Sequence, residues 1–285
     1  MSASEIFAAG LFEGQTVVVT GGGTGIGVAV ARELGKLGAH VVIASRREEN
    51  IRPAAEGLSH EIGREVQGEI CDIRDRDAVA GLVDRVLKRT GRIDVLVNNG
   101  GGQFFSPAEA ITPKGFDAVI ATNLAGTWNM TRAVADAWML ANGGRILSIT
   151  MLTRNAFPGM AHSVAARAGV EAMTRTLAVE WASKGVLVNC IAPGFVASSG
   201  IKRYPQGLDL ITSMKSKVPL KRLASTEEIA WHVAFLASPA GAYVTGQTVT
   251  VDGGKEMWGD WWPIADPPDM GPVVIPEEPW ERDEE

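Results

Sequence analysis

The chain has 285 residues, 46% of them hydrophobic and 21% charged, which suits a globular protein with one large α/β domain or two smaller domains. Its formal charge of −6 is uneven, because residues 256–285 hold 10 of the 33 acidic residues and 1 of the 27 basic residues. No basic stripe with interleaved aromatic residues occurs, so we expect no nucleic-acid partner. The apolar segments are strand-sized and the N-terminus lacks a basic leader, so we expect neither a membrane span nor a signal peptide.

Cysteine and histidine usage predicts neither disulfide nor metal chemistry. The two cysteines, Cys71 and Cys190, lie in or beside apolar runs, which favours buried thiols in a reducing, cytoplasmic compartment. The four histidines are far apart in the sequence and show no metal-ligand spacing. We therefore expect no metal site.

A glycine-rich turn, TGGGTGIG at residues 20–27, joins the β-branched run 17–19 to a predicted helix over 28–37. Glycine lets the backbone turn tightly and approach a ligand, and the helix N-terminus then favours an anion, usually a dinucleotide pyrophosphate in this arrangement. Taken alone, the turn is equally compatible with a plain strand-to-helix link. The cofactor contacts that we expect here are Gly21, Thr24, Gly25, Ile26 and Gly27.

The second predicted strand, 40–44, ends in a basic sequence. An acid at this point would bind the free 2′-hydroxyl of NAD, whereas Ser45, Arg46 and Arg47 offer room and positive charge to the 2′-phosphate of NADP. The alternative interpretation is a solvated basic turn. We therefore expect NADP(H) as the cofactor.

A helix over 48–62 and a third strand over 66–70 lead to Asp72. An acid at the carboxyl end of a strand either accepts a hydrogen bond from the adenine amine or caps the helix that begins near Asp75. Both roles are compatible with the sequence.

A helix over 77–88 and a strand over 93–97 extend the β/α alternation, which predicts a Rossmann fold, a doubly wound parallel sheet. The glycine turn, Asp72 and the sequence NNGG at 98–101, a variant of the more usual NNAG, together resemble the short-chain dehydrogenase/reductase family. The resemblance implies further cofactor contacts from Cys71, Asp72, Ile73, Asn98, Asn99 and Gly100.

The next helix repeats apolar residues every four positions from Phe116 to Trp128 and carries Asn123. In the family, such an asparagine holds an active-site water; the alternative is a mid-helix amide that bonds a neighbouring carbonyl. A fifth strand, 145–149, delivers Thr150 to the position of the family's substrate-orienting serine. Threonine keeps the hydroxyl group that this position requires.

The catalytic tyrosine and lysine of the family are replaced here by Ser163 and Arg167, and the two tyrosines, Tyr204 and Tyr243, fall outside the motif. The spacing of four places Ser163 and Arg167 on one helix face. Arg167 can bind the cofactor ribose as the lysine would, but its expected pKa above about 12 bars it from relaying protons. His162 is an alternative proton donor, but because it is next to Ser163 on a helix we expect it to face elsewhere.

A sixth strand, 186–191, leads to a turn that resembles the family's PG turn, which helps to seat the nicotinamide carboxamide. The implied contacts are Pro193, Gly194 and Val196. Residues 198–222 are predicted to be the least regular part of the core, and they carry basic residues that are either a solvated lid or contacts for a phosphate-bearing substrate tail. These basic residues are Lys202, Arg203, Lys215, Lys217, Lys221 and Arg222.

A helix over 226–236 and a strand over 248–251 complete a reductase domain that we assign to residues 1–254. The remaining residues, 255–285, are rich in proline, which prevents a helix, and in tryptophan, which is rare in disordered segments. We expect an extended C-terminal arm laid over the body or over a neighbouring subunit, frayed after about Pro279. Its tryptophans are Trp258, Trp261, Trp262 and Trp280.

The sequences GGGQF, TNLAGTW and HSVAARAGV resemble the peroxisomal trans-2-enoyl-CoA reductase branch, beside the 2,4-dienoyl-CoA reductases. The resemblance implies NADPH-dependent reduction of an enoyl acyl thioester, with Asn123, Thr150, Ser163 and Arg167 in the catalytic site, and a homotetramer. The C-terminus lacks a peroxisomal SKL-type signal, so we expect a cytoplasmic protein. The alternatives are a carbonyl reductase or hydroxyacyl dehydrogenase with another proton donor, and an inactive nucleotide-binding protein.

Overall fold

Seven parallel strands form one sheet in the computed structural model, which describes residues 3–203, 207–259, 262–267 and 275–276. The sheet order is β3-β2-β1-β4-β5-β6-β7. Its strands are β1 (Thr16–Thr20), β2 (His40–Ser45), β3 (Val66–Ile70), β4 (Val95–Asn98), β5 (Gly144–Ile149), β6 (Val186–Pro193) and β7 (Thr248–Val251). All paired strands run parallel, so their carboxyl ends share one edge of the sheet.

Helices cover both faces of this sheet. Their bounds are α1 (Ala3–Ile6), α2 (Gly25–Lys36), α3 (Glu48–Ile62), α4 (Arg76–Thr90), α5 (Pro113–Ile120), α6 (Gly126–Val134), α7 (Leu140–Asn142), α8 (Ala161–Trp181), α9 (Gly207–Ser216) and α10 (Thr226–Ala237). Side chains of a strand alternate between faces, so Val17 and Val19 pack in the core cluster under α2, α3 and α10, while Val18 packs in the cluster under α4, α6 and α8. This architecture confirms the doubly wound Rossmann fold.

Several element boundaries differ from the sequence prediction. Helix α2 begins at Gly25, inside the glycine turn, and β4 begins only at Val95. Residues 198–222 are more regular than expected, because they contain a short 3₁₀ segment, Ser199–Arg203, and helix α9. The prediction that this segment is irregular is therefore wrong in part.

The loop after β3 resolves the two expected roles of Asp72 in part. Asp75, and not Asp72, caps α4, because its carboxylate accepts hydrogen bonds from the backbone N–H groups of Asp77 and Ala78. The capping role of Asp72 is therefore wrong. Its carboxylate is instead paired with the guanidinium of Arg74.

A long helical segment carries Asn123 between α5 and α6. The five residues Ala121–Ala125 form a π-helical turn, which widens the helix by one residue and re-aims the side chains that it carries. Such turns are frequent at functional sites.

The described part of the C-terminal segment lies beside the end of β7. Trp258 is half-buried, while Trp262 is 72% exposed; Trp261, Trp280 and the frayed end after Pro279 lie outside the described residues. Over the described ranges, no helix has the length and apolarity needed to cross a membrane. In the same ranges, no three His, Cys, Asp or Glu side chains are grouped as metal ligands would be.

Candidate functional site

The glycine turn lies where the strand order reverses, since β1 pairs with both β2 and β4. Ligands of open α/β sheets bind at this point. Gly21 has a φ of +64°, and a Cβ on it would lie 2.9 Å from Nδ2 of Asn99. A Cβ on Gly27 would lie 2.2 Å from the carbonyl oxygen of Gly21. The turn can therefore hold only glycine at these positions, which leaves its backbone open to a pyrophosphate, as the predicted cofactor requires.

Residues after β4 stabilise the glycine turn through hydrogen bonds. Asn99 donates from Nδ2 to the carbonyl oxygens of Thr20 and Gly21, each at 3.1 Å. The hydroxyl of Thr20 accepts from the backbone N–H groups of Asn99 at 3.0 Å and Gly100 at 2.9 Å. Asn98, by contrast, is buried and donates to the hydroxyl of Thr131 at 2.9 Å.

The end of β2 presents positive charge. Arg46 and Arg47 are exposed, and the hydroxyl of Ser45 accepts a hydrogen bond from the backbone N–H of Arg47 at 3.4 Å. Hydrogen bonds from Arg74 lower the pKa of Asp72, and the charge of Arg46 adds to this effect. The ends of β2 and β3 thus form one basic corner with an ionised carboxylate in it.

The residues beside Asp72 are part of the core. Burial raises the pKa of Cys71 to about 11, so the thiol is protonated and inert at neutral pH. Ile73 is buried against Gly126 of α6, where an added Cβ would lie 2.6 Å from its side chain. Their proposed cofactor contacts would come from the backbone and from the apolar surface of these residues.

Arg167 is buried and lacks a carboxylate partner within 4.0 Å among the described residues. The residue is 8% exposed, and Nη1 donates to the carbonyl oxygen of Ile149 at 2.9 Å. Burial lowers the pKa of Arg167 to about 10, so the expectation of a value above about 12 is wrong. The guanidinium still holds its proton at neutral pH. An uncompensated buried charge is costly, which points to a ligand with negative charge.

The loop after β4 closes over this guanidinium. A Cβ on Gly101 would lie 2.2 Å from Nη2 of Arg167 and 2.7 Å from Oδ1 of Asn123. Asn123 accepts from the backbone N–H of Gly102 and donates to its carbonyl oxygen, both at 2.9 Å. These contacts give the Asn123 side chain a loop-holding role, and its role in holding a water stays a prediction.

Ser163 and His162 carry buried polar atoms that find no hydrogen-bond partner among the described residues. These atoms are Oγ of Ser163 and Nε2 of His162, and both side chains are fully buried. The backbone N–H of Ser163 donates to Nδ1 of His162 at 2.9 Å. The ring of Phe104 packs edge-to-face against the imidazole, with the two ring centres 4.3 Å apart. Buried polar atoms without partners are rare in native proteins, so this helix N-terminus is a candidate substrate contact.

Thr150 lies where the sequence places it, directly after β5, and its hydroxyl has two acceptors in reach. These are Oε1 of Glu171 at 3.3 Å and the carbonyl oxygen of Ile191 at 3.2 Å. The other carboxylate oxygen of Glu171 accepts from the hydroxyl of Thr153 at 2.9 Å. A hydroxyl has one hydrogen to donate and lone pairs that accept. The Thr150 hydroxyl can therefore take a proton from Glu171 while it gives its own hydrogen to another group.

Glu171 is the functional candidate that the sequence analysis missed. It is 8% exposed, and burial raises the pKa of its carboxyl; the hydrogen bonds from Thr153 and Thr150 and the charge of Arg175 oppose this shift. The negative charge of Glu256 raises the pKa further. The signal in the sequence was its spacing, four residues after Arg167 and eight after Ser163, which keeps it on the same helix face.

The turn after β6 meets the same edge of the sheet. A Cβ on Gly194 would lie 2.7 Å from Cα of Asp252, and its backbone N–H donates to the carbonyl oxygen of Val251 at 2.9 Å. The next residues approach the glycine turn, where a Cβ on Gly25 would lie 3.5 Å from Ser198. Val196 is buried and pairs with Ala224 through one β-bridge. Pro193 ends β6 beside this turn.

The basic residues of 198–222 divide into two groups. Lys221 donates to the carbonyl oxygen of Ser216 at 3.2 Å, and Arg222 is paired with Glu228 at 2.7 Å. Lys215 is half-buried and Lys217 is exposed, so these two keep both expected roles open. The side chains of Lys202 and Arg203, and all of Tyr204, lie outside the described residues.

Comparison with known proteins agrees with this geometry. Residues 21–256 match the family model described as Enoyl-(Acyl carrier protein) reductase. The chain is 36% identical over 255 residues to peroxisomal 2,4-dienoyl-CoA reductase [(3E)-enoyl-CoA-producing] of Danio rerio, which covers 88% of this chain and 84% of that one. It is 35% identical over 246 residues to the 3-oxoacyl-[acyl-carrier-protein] reductase FabG of Chlamydia trachomatis, at 86% and 98% coverage.

A solved structure extends the similarity to the fold. The citronellol catabolism dehydrogenase (AtuB) of Pseudomonas aeruginosa PAO1 is 42% identical, with a TM-score of 0.79. The match covers 88% of this chain and 99% of the other. The residues of the candidate site from Gly21 to Glu256 lie within the range that the family model matches.

Proposed function

Because the chain belongs to the short-chain dehydrogenase/reductase family, we propose that it reduces the 2,3 double bond of an enoyl or dienoyl acyl thioester with NADPH. The family implies an oxidoreductase with a nicotinamide dinucleotide. The choice of NADP(H) rests on the exposed cations at Arg46 and Arg47 and on the absence of an acid at 45–47.

The cofactor fits the site that the chain builds. The glycine turn would hold the pyrophosphate, the corner at Ser45, Arg46 and Arg47 would hold the 2′-phosphate, and Pro193 and Gly194 would contact the nicotinamide. Bound NADPH supplies a hydride to Cβ of the substrate. Addition of a proton at Cα completes the reduction of the 2,3 double bond, and the product is a saturated thioester where the substrate had only this double bond.

The buried guanidinium of Arg167, together with the unpartnered hydroxyl of Ser163, is the observation that carries this proposal. Hydride addition to an enoyl thioester places negative charge on the thioester oxygen as an enolate. A fixed cation and a hydroxyl donor in a buried site stabilise this charge without giving up a proton. A reaction that needs an oxyanion site thus matches what these two residues offer.

Glu171 and Thr150 provide the proton at Cα in this proposal. A buried carboxyl with a raised pKa retains its proton closer to neutral pH, and the Thr150 hydroxyl lies 3.3 Å from Oε1 of Glu171. When the proton leaves Glu171, the hydroxyl passes its own hydrogen onward, and Glu171 is protonated again from solvent.

The same pair of residues favours a second candidate, reduction of a 3-ketoacyl thioester. This reaction needs an acid near the carbonyl oxygen, and Glu171 with Thr150 can supply one where the family's tyrosine is missing. The similarity to a 3-oxoacyl reductase points the same way. The two candidates differ in the position of the charge that develops during the hydride transfer.

A panel of thioesters distinguishes them. Linear and branched 2-enoyl, 2,4-dienoyl and 3-ketoacyl thioesters are assayed with NADPH and with NADH by loss of reduced-nicotinamide absorbance. We expect 2-enoyl or 2,4-dienoyl substrates to be reduced fastest; faster reduction of 3-ketoacyl substrates supports the second candidate. No turnover of any thioester, with NADPH binding intact, supports an inactive nucleotide-binding protein.

We also propose a cytoplasmic homotetramer. The buried, free thiols of Cys71 and Cys190 suit a reducing compartment, and burial raises the pKa of Cys190 to about 12. Light scattering coupled to size-exclusion chromatography measures the oligomeric state directly.

A further inference from the structure

The turn after β7 contacts the loop between β5 and α8 and the segment after α9, and we call its residues 252–258 the clasp. Asp252 shapes it, because its carboxylate accepts from the backbone N–H groups of Gly254 at 2.8 Å and Glu256 at 2.6 Å. Gly253 and Gly254 have φ values of +63° and +86°. A Cβ on Gly253 would lie 2.8 Å from Val218, so the clasp is closely packed against the segment that follows α9.

Glu256 ties the clasp to the loop between β5 and α8. Its Oε1 accepts from the backbone N–H of Arg154 at 2.9 Å, and its carbonyl oxygen accepts from Nδ2 of Asn155. The Glu256 side chain is 7% exposed, while that of Arg154, whose Nε lies 3.9 Å from Oε2, is 72% exposed. The carboxylate is therefore held mainly by the loop backbone, and Arg154, the cation within 4.0 Å of it among the described residues, is screened by solvent.

The other side of the clasp contacts the segment after α9. Lys221 lies with Nζ 4.9 Å from the centre of the Trp258 ring, a cation–π distance, and donates to the carbonyl oxygen of Ser216. Among the described residues, Lys221 is the one non-glycine residue with a positive φ, at 57°. The clasp thus joins the loop that follows Thr150 to the segment that follows α9.

Glu256 also acts electrostatically on Glu171. Each element packed around the Glu171 carboxyl contributes a group: Thr150 and Thr153 from the loop after β5, Arg175 from its own helix, Cys190 from β6, and Glu256 from the clasp. The two threonines and Arg175 favour the ionised carboxylate. Burial is the main cause of the raised pKa of Glu171, and the negative charge of Glu256 adds to it, whereas Cys190 is a neutral thiol at neutral pH.

We propose that Glu256 is a positioning residue for the reduction: it holds the 153–155 loop against the site and keeps the proton on Glu171. This inference rests on the proposed function, in which protonated Glu171 is the active form. If Glu256 has this role, removing its negative charge and weakening its hydrogen bond to the loop should have different effects on kcat and KM.

Two substitutions separate these effects. Glu256→Gln keeps an oxygen that can accept from Arg154 but removes the charge, so the high-pH limb of the kcat profile should move to lower pH, with KM within about twofold of the wild type. Glu256→Asp keeps the charge but shortens the side chain, so the limb should stay in place while KM rises. Asp266→Asn removes one exposed charge from the same C-terminal segment and should change neither.

A measurement without substrate separates this inference from the proposed function. The carboxyl carbon of Glu171 is titrated by ¹³C NMR in the wild type and in Glu256→Gln, with Glu171→Gln used for assignment. A lower titration midpoint in Glu256→Gln supports the inference even if no enoyl thioester is reduced, in which case the proposed function alone fails. An unmoved midpoint, or an unmoved kcat limb in an active and folded Glu256→Gln variant, overturns it. If Glu256→Gln does not fold, a shifted limb in Glu256→Asp overturns it as well.

Discussion

The guanidinium of Arg167 occupies the space beside Gly101 in which a side chain would otherwise lie. A Cβ there would come within 2.2 Å of Nη2, whereas a Cβ on the neighbouring Gly102 meets no atom within 4 Å. Adjacent glycines of the same loop therefore differ sharply in what they tolerate. The buried cation of the proposed site is enclosed by backbone.

The first prediction uses this difference. The added methyl group of Gly101→Ala would clash with Arg167, so either Arg167 or the loop should be displaced. Such overpacking costs about 1–3 kcal/mol. We expect turnover to fall by at least about tenfold. Gly102→Ala is the matched control and should leave turnover and the melting temperature close to wild type. Steady-state kinetics and thermal melting of both variants make the comparison. Equal behaviour of the two would show that the position of Arg167 is unimportant.

The second prediction concerns the hydroxyl of Ser163. Its Oγ lacks a partner among the described residues, so Ser163→Ala removes a buried polar atom without breaking a hydrogen bond. We expect an unchanged or higher melting temperature together with a fall in kcat of about 10²-fold, the size of effect seen when one oxyanion donor is removed. A stability loss with unchanged kcat would contradict the assigned role.

The third prediction concerns cofactor choice. Arg46→Ala should weaken NADPH binding by about tenfold to a hundredfold, because a charge-assisted hydrogen bond to phosphate contributes about 1.5–3 kcal/mol, and should leave NADH binding nearly unchanged. Arg52→Ala removes an exposed arginine from the next helix, where it is paired with Glu48, and serves as the control. Calorimetric titration of both cofactors measures the preference. Tighter binding of NADH by the wild type would exclude the NADP assignment.

The fourth prediction links Glu171 to stability. Burial raises the pKa of this carboxyl in the folded state above its value in the unfolded chain, so the stability that this group contributes is present below the unfolded pKa and is lost as pH rises through the folded pKa. Glu171→Gln keeps the shape and the acceptor oxygen but cannot ionise. Its melting temperature relative to wild type should therefore rise as pH increases from mildly acidic to mildly alkaline values, while turnover falls.

A melting-temperature difference that does not vary with pH would contradict the raised pKa of Glu171. The variant also tests the proton donor separately. Full kcat in Glu171→Gln would show that the proton at Cα comes from another group.

The sheet could be predicted from sequence because buried parallel strands are short apolar runs between helical segments. The bounds of the helix Glu48–Ile62 were predicted correctly. Its end is marked in the sequence by Gly63, which adopts the left-handed conformation that favours glycine after a helix. The start of α2 at Gly25 was missed, because glycine at a helix N-terminus gives no propensity signal.

The site could be predicted only as far as local motifs reach. Thr150, Ser163 and Arg167 follow from spacing along the chain, but the burial of Arg167 depends on a loop more than sixty residues away in sequence. The proposed role of Glu171 depends on hydrogen bonds from the loop after β5 and on the charge of Glu256, which lies in a segment that differs in composition from the rest of the chain. Such contacts are tertiary, and no periodicity in the sequence reports them.

The amide of Asn99, which donates to the carbonyl oxygens of Thr20 and Gly21, has a consequence for biosynthesis. A nascent chain that ends before this residue contains β1, β2 and β3 but lacks the group that braces the first turn. Domains fold as they emerge from the ribosome, N-terminal part first. We therefore expect nucleotide affinity to arise only after β4 has docked beside β1. The glycine turn is synthesised first, but it should not bind a nucleotide until this later strand is in place.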